Sequence, residues 1–132
     1  MTKIAIIGGT GLENPQILKD SEEISIKTPY GDPSSTLFTG NIEGVEVVLL
    51  SRHNRDHSIP PTEVNKRANI YAIKELGCTY IIATTACIAI STDCDAWKED
   101  EAAVTREEVL AIFSQNVDRV IDLILKTLPM VK

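Results

Sequence analysis

The stretch KIAIIGGTG, residues 3–11, decides how this chain begins to fold. Its first five residues are almost entirely apolar, which is typical of a short strand buried on both faces of a parallel sheet. Glycines and a threonine follow, and Asn14-Pro15 beyond them has the pattern of a helix cap with proline at the first helical position. A strand, a glycine-rich loop and a short helix predict the opening unit of an α/β fold.

The loop Gly8-Gly9-Thr10-Gly11 is a candidate anion site, because backbone N–H groups and a hydroxyl are exposed there at the end of a strand. The loop is not a dinucleotide fingerprint, since its third glycine would fall on Asn14, and it lacks the Gly-Lys-Ser/Thr of a P-loop. A tight strand-to-helix turn that binds nothing is the alternative.

Further elements follow from periodicity and turn residues. The alternation in EISIKT, residues 23–28, predicts a half-exposed strand, and TLFTG and VEVVLL predict a hairpin around the turn GNIEG. Thr62 is a candidate cap for a helix over residues 63–76, which Gly77 would end. Thr105 and Glu108 form a capping box, and a long amphipathic helix with a core-facing apolar stripe is expected behind them: Val109, Leu110, Phe113, Val117, Val120, Ile121 and Ile124.

Composition limits the class of protein. A chain of 132 residues predicts one domain over 1–132, and its net charge of −6 argues against a nucleic-acid partner. No apolar stretch is long enough to span a bilayer, and the first residues are too brief for a signal peptide, so a cytoplasmic location is expected, with a nuclear pool as a second option. Reduced thiols are expected for Cys78, Cys87 and Cys94.

Basic residues cluster in SRHNRDH, directly after the strand VEVVLL. An arginine fork suits phosphate oxygens, and α/β proteins bind ligands at the carboxyl ends of their strands, so Arg52 and His53 are candidate anion ligands. A solvated basic loop is the alternative. His53 and His57 lie four residues apart, but the segment lacks the glutamate of a zinc-binding helix and precedes Pro60-Pro61, so no metal is expected.

The segment YIIATTACIAIST, residues 80–92, is unusual because two strand-like runs meet without a turn or a helix between them. One continuous strand would be longer than the usual upper range of roughly ten residues. Two parallel strands would need a crossover of roughly a dozen residues or more. We therefore expect a discontinuity at Cys87/Ile88. Thr84 and Thr85, at the end of the first run, either satisfy backbone groups or face the same anion as Arg52.

Asp93 and Asp95 follow the second run. On an extended segment two carboxylates at this spacing point to the same side, and such a pair can hold a proton that one of them donates. An ordinary acidic loop is the alternative.

These pieces together resemble the trimeric nucleoside phosphorylase family. The matching stretches are IAIIGGTGLENP, TPYGDPS, VVLLSRHNRDHSIPPTEVNKRANIYAIKELG, IIATTAC and TDCDAWKEDEAAVTREEVL. The family has a long middle segment between the equivalents of Cys87 and Ile88, which this sequence lacks. The resemblance implies an α/β fold with a mixed central sheet flanked by helices, incomplete in this chain, and assembly as a homotrimer.

The resemblance also implies an activity: phosphorolysis of a 6-aminopurine nucleoside to adenine and a ribose 1-phosphate, with a 5-methylthio group on the sugar. Inorganic phosphate is the co-substrate, and no cofactor is implied. The family's phosphate-site positions match Thr10, Arg52, His53, Thr85 and Ala86. Its catalytic and base-binding pair matches Asp93 and Asp95, and other substrate-binding positions match Thr92, Val109 and Leu110. Two positions depart from the family: Arg106 stands where relatives commonly have an apolar residue, and Asn54 where they usually have glycine.

Two other functions stay open. The chain could be a short, non-catalytic relative that keeps phosphate or purine binding or an oligomer surface. It could also be an anion-binding α/β module unrelated to nucleosides.

Overall fold

The computed structural model describes residues 2–9, 11–84 and 106–130 of the chain. Strands and helices are named in chain order: β1 (Lys3–Gly8), β2 (Lys19–Ile24), β3 (Leu37–Ile42), β4 (Val45–Ser51), α1 (Lys66–Glu75), β5 (Tyr80–Ala83) and α2 (Arg106–Thr127). Short 3-10 helices cover Pro15–Ile17 and Leu128–Met130. The suspected discontinuity at Cys87/Ile88 lies outside the described residues.

The strands form a mixed five-stranded sheet in the order β2-β3-β4-β1-β5. β1 lies between β4 and β5 and is parallel to both, whereas β3 is antiparallel to β2 and β4. A parallel centre with an antiparallel edge is common in α/β folds. The predicted fold class, a mixed central sheet flanked by helices, is confirmed.

Alternating side chains of the central strands build a separate core on each face of the sheet. On one face Ile4 and Ile6 of β1 pack with Ile124 of α2 and with Leu128. The opposite face is formed by the intervening residues, Ala5 and Ile7, with Ala72 and Ile73 of α1, and by others in the same cluster: Leu37, Val48 and Leu50. The all-apolar run of β1 is therefore explained by burial on both faces.

The predicted hairpin joins β3 and β4 through a two-residue turn. Ile42 pairs with Val45, and both turn residues have positive φ, 48° at Glu43 and 83° at Gly44. Two such residues match the twist of the strands they connect.

Helix α1 begins three residues later than the sequence indicates. Its cap is Asn65, not Thr62, and the Asn65 side chain accepts a hydrogen bond from the Ala68 N–H at 3.2 Å. The same side chain donates to the carbonyl of Tyr30 at 2.8 Å, which a local pattern could not reveal. Gly77, with φ of 75°, follows the last turn as expected.

The two outer strands differ from expectation. β2 covers Lys19–Ile24, whereas the alternation predicted a strand over 23–28, because pairing with β3 selects the earlier residues. β5 is an almost entirely apolar run, yet Tyr80 is 48% exposed and Ile81 43%. Within the described sheet β5 pairs on one side only, with β1.

The long C-terminal helix forms as expected, and its second half carries the packing. Val120 and Ile121 pack against the core of the first face, and Ile124 is buried. Leu110 and Ile112, nearer the start, are exposed instead, so the apolar stripe is not buried along its whole length. Of the helices described, none combines the length and apolar character that a membrane span requires. Cys78 is a free thiol, and burial raises its pKa.

Candidate anion-binding site

The carboxyl ends of three parallel strands place their following residues at one edge of the sheet. Gly8 lies opposite Ser51, and Ile7 lies opposite Ala83. Beyond these pairs the Arg52 N–H donates to the Gly8 carbonyl at 2.9 Å, and the Thr84 N–H donates to the Ile7 carbonyl at 3.1 Å. We call this group the carboxyl-edge site, formed by Gly8, Gly9, Arg52, His53 and Thr84.

The Arg52 side chain connects all three strand ends. Its Nη1 donates to the Thr84 carbonyl, and its Nε donates to Nε2 of His53 at 3.1 Å. A Cβ atom on Gly9 would lie only 3.2 Å from Nη2, so the guanidinium lies against the glycine backbone. The Nη2 donors make no hydrogen bond to the described residues. A planar cation with free donors in this position can hold an oxyanion.

The hydrogen bonds of His53 fix its ring and assign its proton. Nδ1 lies 3.0 Å from the Ile59 carbonyl, which can only accept, and Nε2 accepts from Arg52. This pattern assigns the neutral tautomer protonated on Nδ1. His53 thus orients the guanidinium of Arg52.

Two alternatives were predicted for Thr84 and Thr85: to satisfy backbone groups or to face the anion. The Thr84 side chain follows the first. Its hydroxyl lies 3.4 Å from the Ile7 carbonyl, within reach of a weak hydrogen bond. The contribution of Thr84 to the site is its own carbonyl, which holds Arg52.

The other charged residues of the basic cluster have different partners. Arg55 lies over the Phe38 ring, 4.0 Å from the centroid, and makes a cation–π contact there. The hydroxyl and the N–H of Ser58 both donate to Asp56, and these bonds lower the pKa of that carboxyl. Of the predicted basic cluster, Arg52 and His53 are the residues that the fold brings to the strand ends.

His57 contacts the loop that follows β1. Its Nε2 lies 3.1 Å from Oε1 of Glu13. No motif in the sequence marks Glu13, whose only signal is its place just after the glycine loop. No group of three or more His, Cys, Asp or Glu side chains within the described ranges is arranged to hold a metal ion.

Most of the remaining predicted site residues lie outside the described residues: Thr10, Thr85, Ala86, Thr92, Asp93 and Asp95. Val109 and Leu110 lie in the first two turns of α2, where Leu110 is 54% exposed. Of the residues assigned to phosphate, the structure therefore describes Arg52 and His53.

The chain is similar to a family of known proteins. Residues 3–96 match the phosphorylase superfamily. Over 85 residues the chain is 54% identical to S-methyl-5'-thioadenosine phosphorylase of Drosophila melanogaster, covering 64% of this chain and 29% of that protein. Over 91 residues it is 53% identical to the protein of that name in Danio rerio, covering 69% and 32%.

The fold is also found among solved structures. Methylthioadenosine phosphorylase from Schistosoma mansoni, in complex with adenine, superimposes with a TM-score of 0.58 at 47% identity, covering 63% of this chain and 29% of that one. The chain thus spans roughly a third or less of the length of these relatives. Since the superfamily match covers well over half of the chain, the chain belongs to the phosphorylase superfamily.

Proposed function

We propose that this protein binds inorganic phosphate at the carboxyl-edge site and uses it to cleave methylthioadenosine. A phosphate oxygen attacks C1′ of the sugar, the C1′–N9 bond breaks, and its electron pair leaves with the purine. The products are adenine, protonated by an acid group of the site, and 5-methylthioribose 1-phosphate.

The observation that carries this proposal is the position of Arg52. Its guanidinium is held by His53 and by the Thr84 carbonyl against the backbone of Gly9. A cation fixed in this way can orient phosphate and balance its charge as it attacks, and catalysis depends on such preorganisation. The names of the relatives supply the nucleoside.

The other parts of the site stay predictions. Thr10, Thr85 and Ala86 are proposed to complete the phosphate contacts. Asp93 and Asp95 are proposed to bind the 6-amino group and N7 of the purine, one of them as proton donor. Assembly as a homotrimer, a cytoplasmic location and the absence of any cofactor other than phosphate as co-substrate belong to the same proposal.

A second candidate is a phosphate-binding protein without turnover. It is favoured by the junction at Cys87/Ile88, where two strand-like runs meet without a turn or a helix between them. At this junction the family that the chain resembles has a long middle segment.

One pair of assays separates the two candidates. The purified chain is incubated with methylthioadenosine and phosphate, and adenine is measured by liquid chromatography. Phosphate affinity is measured by calorimetry. We expect phosphate binding that weakens at least about tenfold in Arg52→Lys, because an ammonium cannot replace the bidentate fork. Arg55→Lys is the matched control and should change affinity by less than about twofold, since Arg55 contacts Phe38.

The outcomes are distinct. Release of adenine by the wild-type chain, lost in Arg52→Lys, supports the phosphorylase. Phosphate binding without adenine release supports the non-catalytic candidate. A chain that binds no phosphate overturns both.

A further inference from the structure

The contact between Glu13 and His57 joins the two loops that form the carboxyl-edge site. Glu13 lies in the loop after β1, and His57 in the Arg52 loop, defined as residues 52–59. Oε1 of Glu13 and Nε2 of His57 are 3.1 Å apart. The Glu13 side chain is mostly buried, with 15% exposure, and that of His57 is 48% exposed. A carboxylate with so little solvent contact needs a donor, and His57 supplies one.

The second carboxylate oxygen of Glu13 also needs an explanation. Oε2 is buried and has no hydrogen-bond partner among the described residues. The mechanism proposed above gives Glu13 no role, so a buried acidic group beside an anion site needs a different explanation.

The Arg52 loop transmits a displacement of His57 to Arg52 because it is cross-linked along its length. Ile59 donates its N–H to the His53 carbonyl at 3.1 Å and accepts from His53 Nδ1 at 3.0 Å. The His57 N–H lies 3.3 Å from the Asn54 carbonyl. A loop closed by these bonds moves as a unit, and Arg52 is its first residue.

The backbone of the same loop is in a disfavoured conformation. Asn54 and His57 have φ values of 63° and 55°, in the left-handed region. Such conformations persist in non-glycine residues when the surrounding contacts hold them, and they cluster at functional sites. The left-handed turn at His57 places its ring against Glu13.

We infer that Glu13 and His57 are a positioning pair, which sets how the guanidinium of Arg52 lies against the glycine loop and thereby sets the affinity for phosphate. This inference rests on the proposed phosphate site. Neither residue is required to touch phosphate, so its effect should reach the ligand through Arg52 alone.

The test is a double-mutant cycle on phosphate affinity, measured by calorimetry on the full chain. His57→Ala and Glu13→Ala should each weaken binding about three- to tenfold, and the double variant should be no weaker than the weaker single one, because both remove one contact. His57→Gln keeps an N–H donor and should restore affinity to within about twofold of wild type.

Two further measurements separate positioning from general destabilisation. The Nε–H resonance of Arg52 should shift in His57→Ala and return in His57→Gln, an effect that loss of stability alone does not produce. Lys19→Ala breaks an exposed ion pair of similar type, with Glu43 at 3.7 Å, and serves as the control that leaves affinity unchanged.

Failure of this inference differs from failure of the phosphate site. If the wild-type chain binds phosphate and His57→Ala binds equally well, the positioning pair is wrong and the phosphate site stands. Strictly additive effects in the double variant would also contradict the pair. If the wild-type chain binds no phosphate, the phosphate proposal fails and takes the pair with it.

Discussion

Asn54 links a single backbone angle to the shape of the site. Its φ of 63° explains why a position that resembles a family glycine can carry asparagine here, since Asn visits the left-handed region more readily than other side chains. Its side chain also accepts from the Arg55 N–H at 2.9 Å and donates to the Ser58 hydroxyl at 3.2 Å. The residue therefore supplies both the turn and part of its stabilisation.

We expect two substitutions of Asn54 to differ in their free energy of unfolding. Asn54→Ala should lower the free energy of unfolding by about 1–2 kcal/mol, because alanine opposes the left-handed conformation. Asn54→Gly should lie within about 1 kcal/mol of wild type, since glycine favours the turn but loses the side-chain hydrogen bonds. Urea unfolding measures both values. An alanine variant as stable as the glycine variant would refute the argument from φ.

For individual residues, the sequence was sufficient to predict the position of some in the site and not of others. Arg52 and His53 could be identified because their position directly after an apolar strand predicts the carboxyl edge of a sheet. The roles of Arg55 and His57 could not, because their partners, Phe38 and Glu13, are distant in sequence. Local spacing suggested one basic cluster, and tertiary contacts divide it.

Among the elements, α2 and the glycine loop depend on each other at one contact. Gly11 has φ of 93°, and a Cβ there would lie 2.1 Å from Cγ1 of Val117. The loop after β1 thus approaches α2 so closely that only glycine fits. Gly11 therefore sets how closely the loop after β1 and α2 can approach.

Gly11→Ala should therefore destabilise the fold more than an equivalent change elsewhere. Gly77→Ala is the matched control, because Gly77 has φ of 75° but nothing within 4 Å of its Cβ position. We expect Gly77→Ala to cost about 1–2 kcal/mol from the backbone alone. Gly11→Ala should cost about 1–3 kcal/mol more from overpacking.

Thermal or urea unfolding of both variants gives the comparison. Adding Val117→Ala to Gly11→Ala should recover part of the loss, because the Cβ of residue 117, which remains in alanine, lies 3.4 Å from the added methyl group. Equal losses for Gly11→Ala and Gly77→Ala would contradict the proposed contact.

The elements also show where sequence patterns are sufficient. β1 and the β3–β4 hairpin follow from apolar runs and a glycine turn, and both form as predicted. The predicted boundaries of β2 and α1 were wrong, because contacts with residues distant in sequence determine the observed ones. β2 is placed by pairing with β3, and the cap of α1 is the residue that also bonds the Tyr30 carbonyl.

At the scale of the whole molecule, the described strands form a mixed sheet in a chain of the phosphorylase superfamily. The chain spans 29% of its Drosophila relative, and apolar side chains of two elements are exposed. Tyr80 and Ile81 of β5 are about half exposed, and Leu110 of α2 is exposed although it matches a substrate-binding position. The strand ends that lead to Arg52, His53 and Thr84 belong to β4 and β5, which lie on either side of β1.

Titration of the ¹⁵N-labelled chain with inorganic phosphate tests whether the strand ends bind phosphate. We expect saturable shifts of amide resonances concentrated at Gly8, Gly9, Arg52, His53 and Thr84, together with the Nε–H of Arg52. Arg67 and Lys74, basic residues of α1 beside a separate groove, provide the internal comparison and should not respond. Shifts centred on α1, or none at the strand ends, would contradict a phosphate site at this edge of the sheet.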